Sequence, residues 1–305
     1  MTQEIATLIA MSMNSGTPLL LAALGLLLNE RAGVLNLGAE GIMAVGAVAG
    51  FAGASLIGQS DAGLLMGLIA GAVVALLYSG LVVYLNTNQY ATGLALTLFG
   101  LGLSAFAGQA FVGLSIVKTA SDGIPFLNSL PFVGEAFFKH HWLVYAAIVL
   151  AVVIHLWLSR TKAGLTLRAV GESPESAHAI GTPVRRLRVL ALVAGGALCG
   201  LGGAYLSVVY TPLWVEGMVA GRGWIALALT VFATWRPLRT VFGAYLFGGA
   251  IIVALYLQGK GVDIPSQILH MLPYVATIVV LAALSRNVEW LRVNMPASLG
   301  KAFKP

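Results

Sequence analysis

The side chains that could do acid–base, nucleophilic or metal chemistry are few in this sequence and widely separated. The only cysteine, Cys199, lies in an apolar stretch, and the five histidines are His140, His141, His155, His178 and His270. No His-x-x-Glu-His, His-Glu-x-x-His or Gly-x-Ser-x-Gly sequence is present, although such spacings bring metal ligands or a nucleophile together. The sequence therefore predicts no catalytic residue and no metal site, and it disfavours an enzyme.

A nucleotide-binding loop is also missing from the sequence. The Walker pattern needs Ser or Thr directly after Gly-Lys, but Gly259-Lys260 is followed by Gly and Gly300-Lys301 by Ala. If the function of this chain uses ATP, a separate chain must bind and hydrolyse the nucleotide. We expect no cofactor in this chain itself.

One charged stretch, residues 159–188, contains clear helix signals. Ser173 is a good N-cap, Pro174 suits the first helical position, and Gly181 favours a C-terminal stop. These signals predict a two-turn helix that ends at about Ile180. Because so short a helix is marginal in isolation, it needs contacts with its own chain or with another protein. A docking helix for a partner is the preferred interpretation, and a plain connector is the alternative.

A second unusual stretch, residues 29–41, interrupts two apolar runs with three glycines and two asparagines. This composition is typical of an unwound or re-entrant segment that lines a cavity, although a capped turn between spans is an equally good interpretation. A charged side chain at the bilayer centre costs about 2.5–3.5 kcal/mol. Glu40 therefore needs an interfacial position or a partner such as Arg31 or a backbone amide. The polar residues that could line a translocation path are Asn14, Asn36, Glu40 and Thr97.

The elements that must position these residues are membrane-spanning helices. The chain has 305 residues, 59% of them hydrophobic and only 9% charged, and the 56 residues between Asp61 and Lys118 contain no Asp, Glu, Lys, Arg or His. A run of that length is enough for two spans of about 20 residues each. The fold class is therefore an all-α, polytopic membrane protein, with one transmembrane domain over residues 1–305. A soluble enzyme, a disordered tail and a DNA-binding protein are excluded.

Apolar windows predict nine spans. Their approximate bounds are 5–28, 34–57, 64–85, 90–112, 142–158, 189–210, 223–235, 240–257 and 266–284. The seventh is too short to cross about 30 Å at 1.5 Å per residue, so we expect a broken or re-entrant segment there. Glycines four residues apart predict close packing between spans; the pairs are Gly46/Gly50, Gly67/Gly71 and Gly196/Gly200.

The distribution of basic residues predicts the orientation of the chain. Twelve of the 17 lysines and arginines lie in residues 159–188, the turn 236–239 and the C-terminal tail. If the spans alternate, these segments share one side, which the positive-inside bias identifies as the cytoplasm. The C-terminus is then inside and the N-terminus outside, and no nucleic-acid partner is needed to explain the net charge of +6. The outer loop 113–141 is expected to be a structured cap with an interfacial helix, or alternatively a docking surface.

Two of these segments resemble a known family. The stretch Asn29-Glu-Arg-Ala-Gly-Val-Leu-Asn-Leu-Gly-Ala-Glu-Gly41 closely resembles the N-terminal signature of the membrane permeases of bacterial ABC importers for ribose, other simple sugars and branched-chain amino acids. It is most similar to the permeases that work with basic-membrane-protein lipoproteins, whose usual cargo is nucleosides. Residues 168–181 resemble the coupling helix of that family and residues 195–204 its glycine-rich following span. The resemblance covers about residues 14–284.

The resemblance implies a division of labour among subunits of a bacterial cytoplasmic-membrane transporter. A separate ABC ATPase subunit would dock on the coupling helix, whose residues here are Glu172, Ser173, Pro174, Glu175, Ala177 and Gly181. A second homologous permease would complete the pore, usually as a heterodimer surrounded by membrane lipid. An extracellular or periplasmic substrate-binding lipoprotein would supply the cargo. Ser176 and His178 depart from the alanine-rich helix usual in the family.

The preferred cargo is a nucleoside, followed by simple sugars and branched-chain amino acids. From another class, a self-sufficient secondary carrier is an alternative. Such a carrier usually places acidic residues within its spans, and only Glu30 and Glu40 approach that description here.

Overall fold

The computed structural model describes residues 2–117, 123, 132–260, 294–304 and the single positions 271, 275, 278, 279 and 282. Within that part of the chain the regular structure is helical, apart from one isolated bridge between Ser115 and Leu213. The helices are α1 (Thr2–Arg31), α2 (Ala39–Ile57), α3 (Ser60–Ser79), α4 (Gln89–Gly108), α5 (Val133–Phe137), α6 (Trp142–Arg160), α7 (Lys162–Glu172), α8 (Pro174–Ala179), α9 (Val184–Tyr205), α10 (Arg222–Phe232) and α11 (Pro237–Gly259). Short π-helical turns extend α3 to Tyr84 and α9 to Tyr210.

Seven of the nine predicted spans form helices that are long and apolar enough to cross a membrane: α1, α2, α3, α4, α6, α9 and α11. The second begins at Ala39 and not at residue 34, because the chain first makes a turn through Gly33 and Asn36. The predicted short segment 223–235 forms α10, of 11 residues. The predicted span 266–284 lies outside the continuously described ranges, as does much of the loop 113–141, whose described part contains α5.

Contacts between distant segments define the two ends of the helix bundle. At one end, which we term the N-terminal face, Glu4 lies 3.6 Å from Lys260. At the other, the α8 face, the Ser298 N–H donates to the Gly171 carbonyl at 3.0 Å. Gly171 also packs against the Arg31 carbonyl at the end of α1. The segment 159–188 and the residues 294–304 therefore share one face, and α1 begins at the other.

The core of the bundle depends on close helix contacts at glycines. α9 packs against α1, α2 and α3. A Cβ at Gly46 would lie within 2.5 Å of the Gly200 Cα, and one at Gly71 within 2.7 Å of that same atom. The backbones therefore approach as closely as the glycine pairs predicted, which is how spans gain packing energy in lipid.

Candidate functional site

The stretch between α1 and α2 is an unwound turn that is packed inside the protein. Gly33 takes a positive φ of 82°, and the Asn36 side chain accepts a hydrogen bond from the Gly38 N–H at 2.9 Å. The Thr97 hydroxyl donates to the Leu37 carbonyl at 2.9 Å, and the Tyr78 hydroxyl donates to the Leu35 carbonyl at 2.6 Å. The structure therefore has a turn between two spans here, which is the second of the two interpretations that the sequence allowed. Side chains of two spans donate hydrogen bonds to its carbonyls.

Glu40 lies directly after this turn and binds the start of α10. It is 5% exposed, and its two carboxylate oxygens accept the backbone N–H groups of Gly221 and Gly223, each at 2.7 Å. The first N–H groups of a helix lack intrahelical partners and attract negative charge. The partner of Glu40 is thus the backbone amide, one of the two partners expected, and α10 begins at this carboxylate.

The other predicted partner of Glu40, Arg31, is engaged elsewhere. Its guanidinium donates to the Trp235 carbonyl, at 2.8 Å from Nη2, and to the Asn294 carbonyl, at 3.3 Å from Nη1. Arg31 therefore ties the end of α1 to the turn between α10 and α11 and to the C-terminal segment. Its position at the α8 face explains why it does not reach Glu40.

A second buried carboxylate holds the other end of α10. Glu30 is 1% exposed and accepts hydrogen bonds from the Trp235 indole N–H and from the Thr230 hydroxyl, the latter at 3.2 Å. Since 11 helical residues span about 16 Å, α10 covers about half of a 30 Å hydrocarbon layer. The short segment 223–235 is thus a half-length helix inside the bundle, held by a carboxylate at each end.

The predicted path residues do not form one group. The structure brings Asn36, Glu40 and Thr97 together at the turn before α2, all three buried. Asn14 lies apart from them towards the N-terminal face, where it accepts a hydrogen bond from the Tyr205 hydroxyl at 2.9 Å and contacts His140 at 3.3 Å. Thr230 and Trp235, which bind Glu30, lie in no sequence motif and could not be predicted.

The predicted short helix at the α8 face is present as α8. The Ser173 side chain accepts from the Ser176 N–H at 3.3 Å, Pro174 occupies the first turn, and Gly181 has a φ of 85°. Ala177 and Pro174 are buried, and Ala177 packs in an apolar cluster with Phe303. These contacts hold the helix to its own chain through one side.

The opposite side of α8 is exposed. Its exposed residues are Glu175, Ser176, His178, Ala179, Ile180 and Gly181. Glu172 is also exposed, but its carboxylate accepts the Ala297 N–H at 3.3 Å. It therefore helps to hold the C-terminal segment. The helix α7, which precedes α8, was not predicted; the Thr161 side chain caps it by accepting the Gly164 N–H at 3.1 Å.

Seven apolar spans, a half-length helix inside the bundle and a short exposed helix on one face define a polytopic helical membrane protein. Residues 8–284 match the model of the family described as the permease component of branched-chain amino acid transport systems. The chain therefore belongs to that family. Permeases of ABC transporters work with a separate ATPase subunit, so this chain is one part of a larger assembly.

Individual relatives differ in the cargo that their names give. A Haloferax volcanii protein, provisionally named as the glucose ABC transporter permease TsgC13, is 39% identical over 98% of this chain and 97% of its own length. The guanosine ABC transporter permease NupQ of Bacillus subtilis is 29% identical over 98% of both chains. The nucleoside ABC transporter permease NupC of Lactococcus lactis is 32% identical over 66% of this chain and 65% of its own.

A solved structure shares the fold. It is an inward-facing ABC transporter provisionally assigned to the metal-chelate type, with a TM-score of 0.51 at 17% identity, over 91% of this chain and 85% of that chain. At this identity the likeness concerns the helical architecture alone.

Proposed function

We propose that this chain is the membrane subunit of an ATP-driven importer and that the ATPase subunit docks on the exposed side of α8. The observation on which this rests is that α8 buries only Pro174 and Ala177 against its own chain. Ile180, at its end, is an apolar side chain that is 83% exposed. A short exposed helix with an apolar tip suits contact with another protein, and the family to which the chain belongs supports an ATPase as that protein.

The orientation follows from the same surface. An ATPase is cytoplasmic, so the α8 face lies in the cytoplasm and the N-terminal face outside, in the cytoplasmic membrane. The basic residues of 159–188 support this orientation through the positive-inside bias. Residues 294–304 contact Gly171, which favours a cytoplasmic C-terminus.

The cargo that we propose is a nucleoside, supplied by an extracellular or periplasmic binding protein. The relatives NupQ and NupC, named for guanosine and for nucleosides, support this. The same two organisms contain a second relative each, NupP and NupB, which favours a pore built from two related permeases. A simple sugar is the second candidate, because the Haloferax relative is named for glucose and is similar over nearly its full length.

Replacement of the exposed tip of α8 tests the docking surface. Ile180→Asp should reduce ATP-dependent uptake at least about tenfold, since loss of a central interface side chain costs about 2 kcal/mol. The ATPase should also no longer co-purify with the permease. The matched control for the co-purification is Val117→Asp, an apolar side chain that is 92% exposed and lies outside the α8 face; it should leave the ATPase bound.

Two results would reject the proposal. One is Ile180→Asp with normal uptake and a bound ATPase. The other is concentration of solute by this chain alone in proteoliposomes, which would identify a secondary carrier. The cargo is tested separately by uptake of labelled uridine in competition with adenosine, ribose, glucose and leucine; the nucleoside proposal expects adenosine to compete and the others not to.

A further inference from the structure

The C-terminal segment, residues 294–304, lies on the α8 face and contacts several elements there. Its residues 295–304 form no helix or strand, yet Ser298 and Phe303 are buried. The Ser298 hydroxyl donates to the Gly171 carbonyl at 2.7 Å, beside the bond that the Ser298 N–H makes to the same atom. Because buried backbone groups need partners, an irregular segment such as this one is held by its contacts with other elements.

One of these contacts reaches the buried side of α8. Phe303 is 4% exposed and packs in one apolar cluster with Val170, Ala177 and Val184. Val170 and Val184 belong to α7 and α9, the neighbours of α8 in the chain, whereas Phe303 comes from more than 100 residues away. The His178 ring also lies edge-on to the Phe303 ring, with centroids 5.6 Å apart. A displacement of α8 must therefore move Phe303 or open a gap in a close-packed cluster.

A second contact joins the same segment to the turn before α2. The Lys301 carbonyl, two residues before Phe303, accepts a hydrogen bond from Gln89 Nε2 at 3.3 Å. The other end of that amide, Gln89 Oε1, accepts the Leu35 N–H at 2.8 Å. Gln89 is 3% exposed, so water does not compete freely for these bonds. One buried side chain thus bridges the C-terminal segment and the turn.

A buried arginine holds the segment in place between these two contacts. Arg188 is 3% exposed and donates to the Ser298 hydroxyl at 3.2 Å, to the Lys301 carbonyl at 3.4 Å and to the Ala32 carbonyl at 3.2 Å. Its guanidinium also lies over the Phe303 ring, 5.9 Å from the centroid. A buried charge without acceptors is costly. Arg188 therefore favours movement of the segment as a unit over its separation from the bundle.

We propose that the C-terminal segment transmits the movement of α8 to the turn before α2, with Phe303 and Gln89 as positioning residues at its two contacts. This inference rests on the proposed function, in which an ATPase docks on α8 and moves it. The turn ends at Glu40, whose carboxylate holds the first N–H groups of α10. ATP-driven movement of α8 thereby reaches the half-length helix inside the bundle.

The number of cargo molecules imported per ATP hydrolysed tests this transmission. It is measured in liposomes with the complete transporter and labelled uridine, or labelled glucose if the wild type imports glucose instead. Phe303→Ala should leave the ATPase bound and active but lower this ratio about fivefold or more, the range of coupling between distant sites. Phe303→Leu keeps an apolar side chain in the cluster and should stay near the wild-type ratio.

The matched control is Lys301→Ala. This substitution removes an exposed charge but keeps the backbone carbonyl that Gln89 and Arg188 bind. It should therefore leave the ratio unchanged. An equal loss in Lys301→Ala would assign the effect to the charge of the side chain and would overturn the inference.

Gln89→Ala interrupts the transmission at its other contact and should lower the ratio to a similar degree. Because both substitutions break one route, the double variant with Phe303→Ala should be no worse than the weaker of the two single variants, whereas independent effects would add. Additive losses would overturn the inference.

The remaining outcomes separate this inference from the proposed function. A wild-type ratio in Phe303→Ala and Gln89→Ala, in a transporter that imports its cargo, would overturn the transmission and leave the proposed function standing. Loss of the ATPase from Phe303→Ala would also overturn it, because the segment would then belong to the docking surface. A wild-type chain that neither binds an ATPase nor imports cargo with one would overturn both.

Discussion

At the residue scale, the start of α10 inside the bundle depends on one carboxylate. Each oxygen of Glu40 accepts a different backbone N–H, from Gly221 and from Gly223. Glu40→Gln keeps the shape of the side chain but turns one oxygen into an NH₂ group, so one N–H of α10 would face another donor. We expect a loss of about 1–3 kcal/mol in the free energy of unfolding, measured as a lower Tm in detergent, and reduced uptake.

Glu4→Gln is the matched control for this prediction. Glu4 is half exposed and lies 3.6 Å from the exposed Lys260, and exposed ion pairs contribute about 0–1 kcal/mol. Its substitution should leave Tm and uptake nearly unchanged. A Glu40→Gln protein with wild-type Tm and uptake would show that α10 does not need the charge.

His140 predicts a dependence of stability on pH. The buried ring contacts the Asn14 amide through Nδ1 and the Ala136 carbonyl through Nε2. Burial lowers the pKa of His140, although the Ala136 carbonyl opposes the shift. The folded state therefore binds a proton less readily than the unfolded state, whose histidine pKa is about 6.5. The contribution of a neutral His140 to stability is present above that pH and is lost as the pH falls through and below it.

The measurement is the fall in Tm between pH 7.5 and pH 5. We expect this fall to be smaller in His140→Gln than in the wild type, because glutamine does not titrate. His155→Gln is the control, and it should show the wild-type fall. Equal falls in the wild type and in His140→Gln would contradict the prediction.

The structural role of a residue was predictable from the sequence only where its neighbours in the chain gave a local signal. Ser173, Pro174 and Gly181 occupy the capping positions expected of them, because capping is a rule of neighbouring residues. The need of Glu40 for a partner was evident from the energy of burial. The identity of its partners, Gly221 and Gly223, could not be predicted. They lie about 180 residues further along the chain, and no sequence pattern marks which backbone N–H groups will meet a distant carboxylate.

At the element scale, the contact of α9 with α2 and α3 depends on glycine. Gly200→Ala would place its Cβ 2.7 Å from the Gly71 Cα and still closer to the Gly67 carbonyl. Backbone atoms cannot rotate away, so the helices must separate. We expect a destabilisation of about 1–3 kcal/mol and less protein in the membrane. The control Gly102→Ala lies on α4 with nothing within 4 Å of its Cβ, so it should be neutral or slightly stabilising.

The positions of the spans were predictable because the length of an uninterrupted apolar segment can be read directly from the sequence. Seven predicted segments form long helices, and the shortness of the segment 223–235 correctly indicated a broken crossing. The sequence did not predict α7. Its 11 residues are held by the Thr161 cap and by packing of Gly171 against Arg31, and the second of these contacts arises only in the folded protein.

At the scale of the whole molecule, α10 connects the interior of the bundle with the end of α1 at the α8 face. Its start is bound by Glu40 of α2 and its end by Glu30 of α1. Arg31, the neighbour of Glu30, binds the C-terminal segment, which in turn contacts Gly171 just before α8. A displacement of α8 by a partner would therefore act on α10 through packed and hydrogen-bonded neighbours. The proposed docking surface thus has a physical route to the middle of the bundle.

The orientation of the whole molecule is the last prediction, and cysteine labelling tests it. In a Cys199→Ala background, which removes the only cysteine, single cysteines would be placed at three exposed positions. Gln59→Cys lies between α2 and α3, at the opposite end from α8, whereas Ile180→Cys and Lys301→Cys lie at the α8 face. A membrane-impermeant maleimide should label Gln59→Cys in intact cells. It should label the other two only after permeabilisation, because the positive-inside bias predicts that the α8 face lies in the cytoplasm. Labelling of Ile180→Cys in intact cells would put α8 where no cytoplasmic ATPase could reach it, so the orientation and the docking proposal would both fail.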